Sequence, residues 1–129
     1  GCFMASCASV ISVIVLCRLF GLDETMTASL IPKSVTTPIA MELSAQGGGV
    51  PAFTVAAVIF TGILGAITAP LLVKLLRVKE PVEKGVAIGT CSHAIGTTKA
   101  LEMGELEGAM SGISIGVAGI ATVIICLFL

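Results

Sequence analysis

Long apolar segments alternate along this chain with two shorter polar segments that contain helix-breaking residues. No charged residue occurs in residues 1–17, 43–73 or 108–129. A helix needs roughly 20 apolar residues to cross the hydrocarbon core of a bilayer, because each residue rises about 1.5 Å. The pattern therefore predicts spanning helices at about residues 1–20, 52–76 and 108–129.

The first polar segment, residues 22–46, predicts two short helices around an unwound stretch. Asp23 is a suitable N-cap for a helix that runs to about Ile31. Pro32 and Pro38 bracket the next residues, and proline suits neither a helix interior nor a helical residue before it. A second short helix is predicted from Ile39 to about Ala45.

The second polar segment, residues 82–107, predicts the same arrangement. Pro81 precedes a short helix that runs to Thr90. Residues 92–98 are expected to interrupt that helix, and another short helix is expected from Lys99 to about Glu107. The predicted fold class is therefore an all-α membrane protein of one domain, with about three spanning helices and two discontinuous helix pairs.

The two polar segments resemble copies of one unit. A shift of 60 positions places Val35, Thr37, Ala40, Met41 and Glu42 on Ile95, Thr97, Ala100, Leu101 and Glu102. Two topologies remain open. Each segment is either a re-entrant hairpin, in which case the two hairpins enter from opposite faces, or one broken crossing. The hairpin topology is favoured, and the basic residues between 74 and 84 predict a cytoplasmic end for the middle span.

Composition supports a membrane protein and excludes several other classes. Hydrophobic residues make up 56% of the chain and charged residues 12%, against about 25% charged in soluble domains. The net charge of −1 gives no reason to expect a nucleic-acid partner. Five cysteines without a CxxC pair predict neither disulfides nor a metal site. No catalytic or cofactor-binding motif is present, so neither an enzyme nor a cofactor is expected.

The two helix breaks are the candidate substrate site. Irregular backbone at membrane depth is tolerated only where protein buries it or where it lines a wet cavity, and matched broken helices mark transporter sites. Helix N-termini at the breaks suit an anion such as a small carboxylate. Hydroxyl groups, one imidazole and one glycine supply the expected substrate contacts: Ser34, Thr36, Thr37, Ser92, His93, Gly96, Thr97 and Thr98.

Charged residues beside the breaks have two open interpretations. Glu42 and Glu102 occupy matched positions, and ionisable groups in membrane segments usually face a bundle interior or a cavity. They are either proton carriers or charge partners of Lys33 and Lys99, unless they are simply solvated at the interface. His93 either moves a proton or holds the loop through hydrogen bonds.

Glycines at four-residue spacing mark a helix-packing face on the last span. Gly108, Gly112 and Gly116 form a stripe of small residues that lets helix backbones approach closely in lipid. The helix that packs there could belong to this chain, to a second copy in a homo-oligomer or to another protein.

These motifs resemble those of a known family. Residues 29–42, SLIPKSVTTPIAME, resemble the signature of the LrgB/CidB family. Residues 61–66, 89–97 and 100–102 are similar to its later blocks, so the resemblance covers essentially the whole chain. The family's N-terminal helices are absent from this sequence, which predicts the C-terminal part of a longer protein.

The resemblance implies an integral protein of the bacterial cytoplasmic membrane and two functions. Bacterial members are named antiholin-like proteins, act with a small holin-like LrgA/CidA partner and are linked to murein hydrolase activity and autolysis. Other members are linked to transport of small carboxylates, namely pyruvate in some bacteria and glycolate and glycerate in the plastid envelope. The paired breaks favour a secondary transporter of small monocarboxylates, and regulation of autolysis is the alternative.

Overall fold

The computed structural model describes residues 1–129 as six helices without a β-strand. Three of the helices are long and apolar enough to cross a membrane, which confirms the predicted all-α membrane class. These are α1, α4 and α6. The helix bounds are α1 Cys2–Leu19, α2 Glu24–Leu30, α3 Thr37–Gln46, α4 Pro51–Leu75, α5 Pro81–Met103 and α6 Glu105–Phe128.

The first polar segment folds as a hairpin of two short helices, which we call hairpin 1. The Asp23 side chain accepts a hydrogen bond from the Met26 amide at 2.8 Å and so caps α2 as predicted. Turn residues 31–36 separate α2 from α3. The helices return side by side, because Ser29 of α2 and Ser44 of α3 both contact the Thr54 hydroxyl.

The second polar segment also folds back on itself, and we call it hairpin 2. His93 has φ 40° and ψ −139°, which divides α5 into a first arm, residues 81–92, and a second arm, residues 94–103. Ile88 and Ala100 lie in one buried cluster, one from each arm. A turn at His93 therefore reverses the chain.

Contacts with α6 give the directions of the two arms. A Cβ at Gly85 would meet Glu107, and one at Gly89 would meet Ser111, so the first arm runs parallel to α6. The Thr97 hydroxyl in the second arm lies 2.7 Å from Ser111 Oγ, and Leu101 packs on Gly108, so the second arm runs antiparallel to it. Both contact patterns exclude the broken-crossing topology for this segment.

Successive residues of α4 contact the two hairpins in order, which shows that the hairpins enter from opposite ends. Thr54 contacts the base of hairpin 1, and Val58 packs against Val35 and Ala40 near its tip. Gly62 faces His93 at the tip of hairpin 2. Further along α4, Ala69 packs against Ile88 and Ala100 in its arms. The tips therefore meet close to the middle of α4.

The other two spanning helices lie along the same hairpin pair. Helix α6 begins at the base of hairpin 2 and, near its C-terminal end, lines a groove with α2 and α3 of hairpin 1. Helix α1 packs on α6 through a hydrogen bond from Ser6 to the Ala118 carbonyl, at 3.5 Å. Its Ser9 reaches the tip of hairpin 1.

Several predicted boundaries were wrong. The interruption expected over residues 92–98 is confined to His93, because Gly96 lets the second arm pack closely on Ser92 and Ile88. Helix α6 begins at Glu105 and not at Gly108, with Gly104 in extended backbone between the helices. Helix α3 begins at Thr37 and not at Ile39, since Pro38 fits the first turn of a helix.

The internal repeat stays a prediction, although one matched pair occupies similar surroundings. Ala40 and Ala100 are both fully buried, and each packs against α4 from its own hairpin.

Hairpin 1 is attached to α4 by a buried group of hydroxyls. Thr54 Oγ1 donates to the Ser29 carbonyl at 2.8 Å and lies 2.7 Å from Ser44 Oγ, and all three residues are fully buried. Thr54→Val should therefore lower the free energy of unfolding by about 1–2 kcal/mol, as measured by thermal unfolding in detergent. Thr68→Val is the matched control, because the Thr68 hydroxyl bonds only to the Leu64 carbonyl of its own helix. Equal melting temperatures for the two variants would contradict a structural role for this group.

Candidate functional site

The two hairpin tips form the only place where irregular backbone lies beside the middle of the spanning helices. Turn residues 31–36 form one tip, and His93 forms the other. Both tips contact α4 within about one helical turn, at Val58 and Gly62. Since α1 also reaches this level through Ser9, the tips are enclosed by spanning helices on two sides.

Lys33 places an ammonium group at the tip of hairpin 1. Its Nζ donates to Ser34 Oγ at 3.2 Å, and Ser34 Oγ lies 2.8 Å from Ser9 Oγ of α1. The Lys33 side chain is half-buried. The structure contains a single ion pair, between Lys99 and Glu102, so no carboxylate lies within 4 Å of the Lys33 nitrogen. The group therefore has hydroxyl neighbours but no negative partner.

His93 fixes the opposing tip to α4. Its Nε2 lies 3.1 Å from the Val58 carbonyl, and since a carbonyl only accepts, Nε2 is the protonated nitrogen. His93 is buried, with an exposed fraction of 3%. Val58 also packs against Val35 at the tip of hairpin 1. One residue of α4 thus contacts the tips of both hairpins.

Two helices have their N-termini at the tips. These are α3, from Thr37, and the second arm of hairpin 2, from residue 94. Thr36 is the N-cap of α3, yet its side chain makes no capping hydrogen bond. Helix N-termini carry partial positive charge and unbonded amide groups, so together with Lys33 they make this region suitable for an anion.

Only part of the predicted substrate-binding set converges on this region. Ser34, Thr36, Thr37 and His93 lie at the tips. Ser92 is buried against Gly65 of α4, and Gly96 accommodates Ser92 within the hairpin. Thr97 bonds to the His93 carbonyl and to Ser111, whereas the exposed Thr98 bonds to the Ile95 carbonyl. These four residues therefore make contacts within hairpin 2 or with its supporting helices.

The acidic residues beside the breaks do not face the tips. Glu42 is exposed on α3 and accepts a hydrogen bond from Gln46 Nε2 at 2.8 Å, so the alternative in which it pairs with Lys33 does not occur. Glu102 pairs with Lys99 one helical turn away, and both side chains are largely exposed. No three histidine, cysteine or acidic side chains converge in a way that could hold a metal ion.

The glycine stripe of α6 divides into a packed and an open part. Gly108 is covered by Leu101 of hairpin 2. Gly112 and Gly116 have no atom within 4 Å of the position that a Cβ would take, so they do not pack against another helix of this chain. The close helix contact within the chain involves Gly85 and Gly89 of α5 instead.

Sequence reasoning missed two residues of the tip region and the hydroxyl group at Thr54. Ser9 lies in an apolar span and carries no motif. Cys91 belongs to no CxxC pair and has no predicted role, yet it is exposed at the tip of hairpin 2. A polar residue in an otherwise apolar helix was the available signal for Ser9, since such residues tend to face the protein interior.

Three spanning helices around two opposed re-entrant hairpins define an integral membrane protein whose helix breaks meet in mid-membrane. The chain belongs to the LrgB-like family, whose family model matches residues 1–129. It is 41% identical over 122 residues to the antiholin-like protein LrgB of Bacillus cereus strain B4264, which covers 95% of this chain and 53% of that protein.

Two other relatives match a similar share of this chain and of their own length. The Bacillus subtilis protein YxaC, named as uncharacterized, is 43% identical over 114 residues, covering 88% of this chain and 50% of YxaC. The antiholin-like protein LrgB of Bacillus anthracis strain CDC 684 is 41% identical over 122 residues, with 95% and 53% covered. The chain thus spans about half the length of these relatives. No solved structure shows a significant match.

The hydrogen bond between His93 and Val58 gives a direct test of the tip geometry. His93→Phe keeps a ring but loses the donor, so the free energy of unfolding should fall by about 1–2 kcal/mol in thermal unfolding measurements. His93→Gln retains a side-chain N–H and should lose less. If both variants melt together, the imidazole acts by filling space and not by bonding to Val58.

Proposed function

We propose that this protein is a secondary transporter of small monocarboxylates and that the hairpin tips bind the substrate carboxylate. The observation that carries the proposal is the Lys33 ammonium, which is half-buried at the tip of hairpin 1 and has no carboxylate partner. A charge in the middle of a membrane protein is costly, and such residues usually mark a substrate or ion pathway. A carboxylate between the tips would supply the missing negative charge.

The groups around Lys33 match a small acid with one charge. One ammonium balances one carboxylate, and the N-terminus of α3 adds backbone donors beside it. Ser34 Oγ lies 2.8 Å from Ser9 Oγ and 3.2 Å from Lys33 Nζ. The two hydroxyls can therefore also donate to a carboxylate oxygen or to a neighbouring oxo or hydroxyl group. This supports pyruvate-like or glycolate-like acids as the substrate class.

Opposed hairpins also support alternating access. Hairpin 1 enters from one end of α4 and hairpin 2 from the other, and their tips close the path at the same level. Displacement of one tip would open the site to one side while the other tip keeps it closed. Transporters built from inverted repeats place their substrate site at the midplane in this way.

Transport of an acid also gives roles to the ionisable residues beside the breaks and a location to the protein. Glu102 is paired with Lys99, whereas Glu42 has no cation partner, and we assign proton coupling to Glu42. Binding and release require no covalent step, and the protein acts as a carrier and not as an enzyme. The bacterial relatives support a location in the cytoplasmic membrane.

Uptake of labelled pyruvate and glycolate into proteoliposomes containing the intact protein tests the substrate site. Lys33→Gln should weaken the apparent affinity at least about tenfold, because a hydrogen bond to a charged group contributes about 1.5–3 kcal/mol. Lys99→Gln is the matched control, since that lysine is paired and exposed.

Two outcomes would contradict the transporter proposal. One is the absence of uptake for a panel of small acids by correctly inserted protein. The other is an unchanged apparent affinity in Lys33→Gln, which would separate transport from the hairpin tips.

A second candidate function is an antiholin-like regulator of murein hydrolase activity and autolysis that binds a holin-like LrgA/CidA partner. The observation in its favour is the open part of the α6 stripe, because nothing in this chain covers Gly112 or Gly116. Small residues at this spacing let a second helix approach closely in lipid. The names of the Bacillus cereus and Bacillus anthracis relatives point to the same role.

Gly112→Leu and Gly116→Leu test this second function. Each should reduce co-purification of the holin-like partner severalfold while leaving the melting temperature unchanged, because neither glycine contacts this chain. Val117→Leu, on a different side of α6, is the control. If the partner is retained at the level of the unmodified protein, the open stripe is not its binding face.

A further inference from the structure

A second region of concentrated charge lies at the base of hairpin 2, far from the tips. The end of α4, the connection to α5 and the first turns of α5 surround an open cavity of about 360 Å³. Four basic side chains line it, and its apolar part includes Val73 and Met103. The basic residues are Lys74, Arg77, Lys79 and Lys84.

None of these four cations is neutralised by the protein. Glu80 and Glu83 are close in sequence to the four basic residues, yet neither carboxylate lies within 4 Å of a lysine or arginine nitrogen. The single ion pair of the structure joins Lys99 and Glu102. The four side chains contribute mainly their apolar stems to the cavity wall, so their like charges lie at its rim and repel each other. An anion bound among them would remove that repulsion and restore charge balance.

The backbone at Arg77 gives an independent reason to assign a role to its side chain. Arg77 has φ 54°, the left-handed conformation that ends α4, while the amide of the next residue, Val78, donates to the Val73 carbonyl at 3.1 Å. Glycine is the usual residue at this helix-ending position because it has no Cβ. An arginine here keeps its cation beside the cavity at the expense of backbone strain.

We propose that this cavity binds the headgroup of an anionic phospholipid. The cavity lies at the end of a spanning helix, where lipid headgroups are found, and basic pockets on the cytoplasmic side bind anionic headgroups. The cluster of basic residues also places this end of α4 in the cytoplasm. The first carbons of the acyl chains lie against the apolar wall of the cavity, which includes Val73 and Met103, and the phosphate lies at its rim beside the basic side chains.

The position of the cavity links the bound lipid to hairpin 2. Lys84 belongs to the first arm of that hairpin, Met103 ends its second arm, and Lys74 and Arg77 belong to α4. One headgroup therefore contacts both arms of hairpin 2 and the helix on which the hairpin packs. Bound lipid should stabilise the base of this hairpin relative to α4.

The test compares the intact protein in vesicles of phosphatidylcholine alone and of phosphatidylcholine with phosphatidylglycerol. Native mass spectrometry should show retained phosphatidylglycerol, and the melting temperature should rise only in the mixed vesicles. Removal of two charges in the double variant Lys79→Gln and Lys84→Gln should weaken retention about 25-fold, at about fivefold for each charge. Arg18→Gln, at the opposite end of the molecule, should change nothing.

Arg77→Gly separates folding from lipid binding. It relieves the left-handed strain, so the melting temperature in phosphatidylcholine should stay the same or rise, while phosphatidylglycerol retention should fall about fivefold. Equal retention by Arg77→Gly, the double variant and the unmodified protein would overturn the proposal. Inorganic phosphate that stabilises the protein in phosphatidylcholine as strongly as phosphatidylglycerol would also overturn it, in favour of a free-phosphate site.

Discussion

Within a bilayer, each backbone amide and carbonyl group must find its hydrogen-bond partner in the protein, and the rest of this structure depends on that constraint. The chain breaks its helices twice at membrane depth, and both breaks lie between spanning helices. The break at His93 is reduced to one residue, whose side chain bonds to a carbonyl of α4. The longer break at residues 31–36 is covered by α1 and α4.

Much of the fold could be predicted because long apolar runs and prolines act locally. The three spans follow from charge spacing, and Asp23 and Pro81 begin helices as their chemistry requires. The extent of the second break could not be predicted in this way. It depends on how closely Gly96 lets the second arm approach Ser92, and this contact forms only after the chain has turned.

The candidate site was predicted less completely than the fold. The sequence indicated which segments meet, and Lys33, Ser34 and His93 do lie at the tips. It could not show which hydroxyls face the tips, because that depends on how each helix is rotated about its axis. Thr97 bonds to Ser111 of α6, and Ser92 packs against Gly65 of α4. Ser9 could not be assigned either, since its role follows from α1 lying beside hairpin 1.

The contacts along helix α4 fix the positions of the two hairpins relative to each other. Hairpin 1 is aligned with it at Thr54 and Val58, and hairpin 2 at Gly62 and Ala69. One inserted residue between 58 and 62 would rotate the second set of contacts by about 100° and move it by about 1.5 Å. The segment from Val58 to Gly62 should therefore tolerate substitutions at its lipid-facing positions far better than any change in its length.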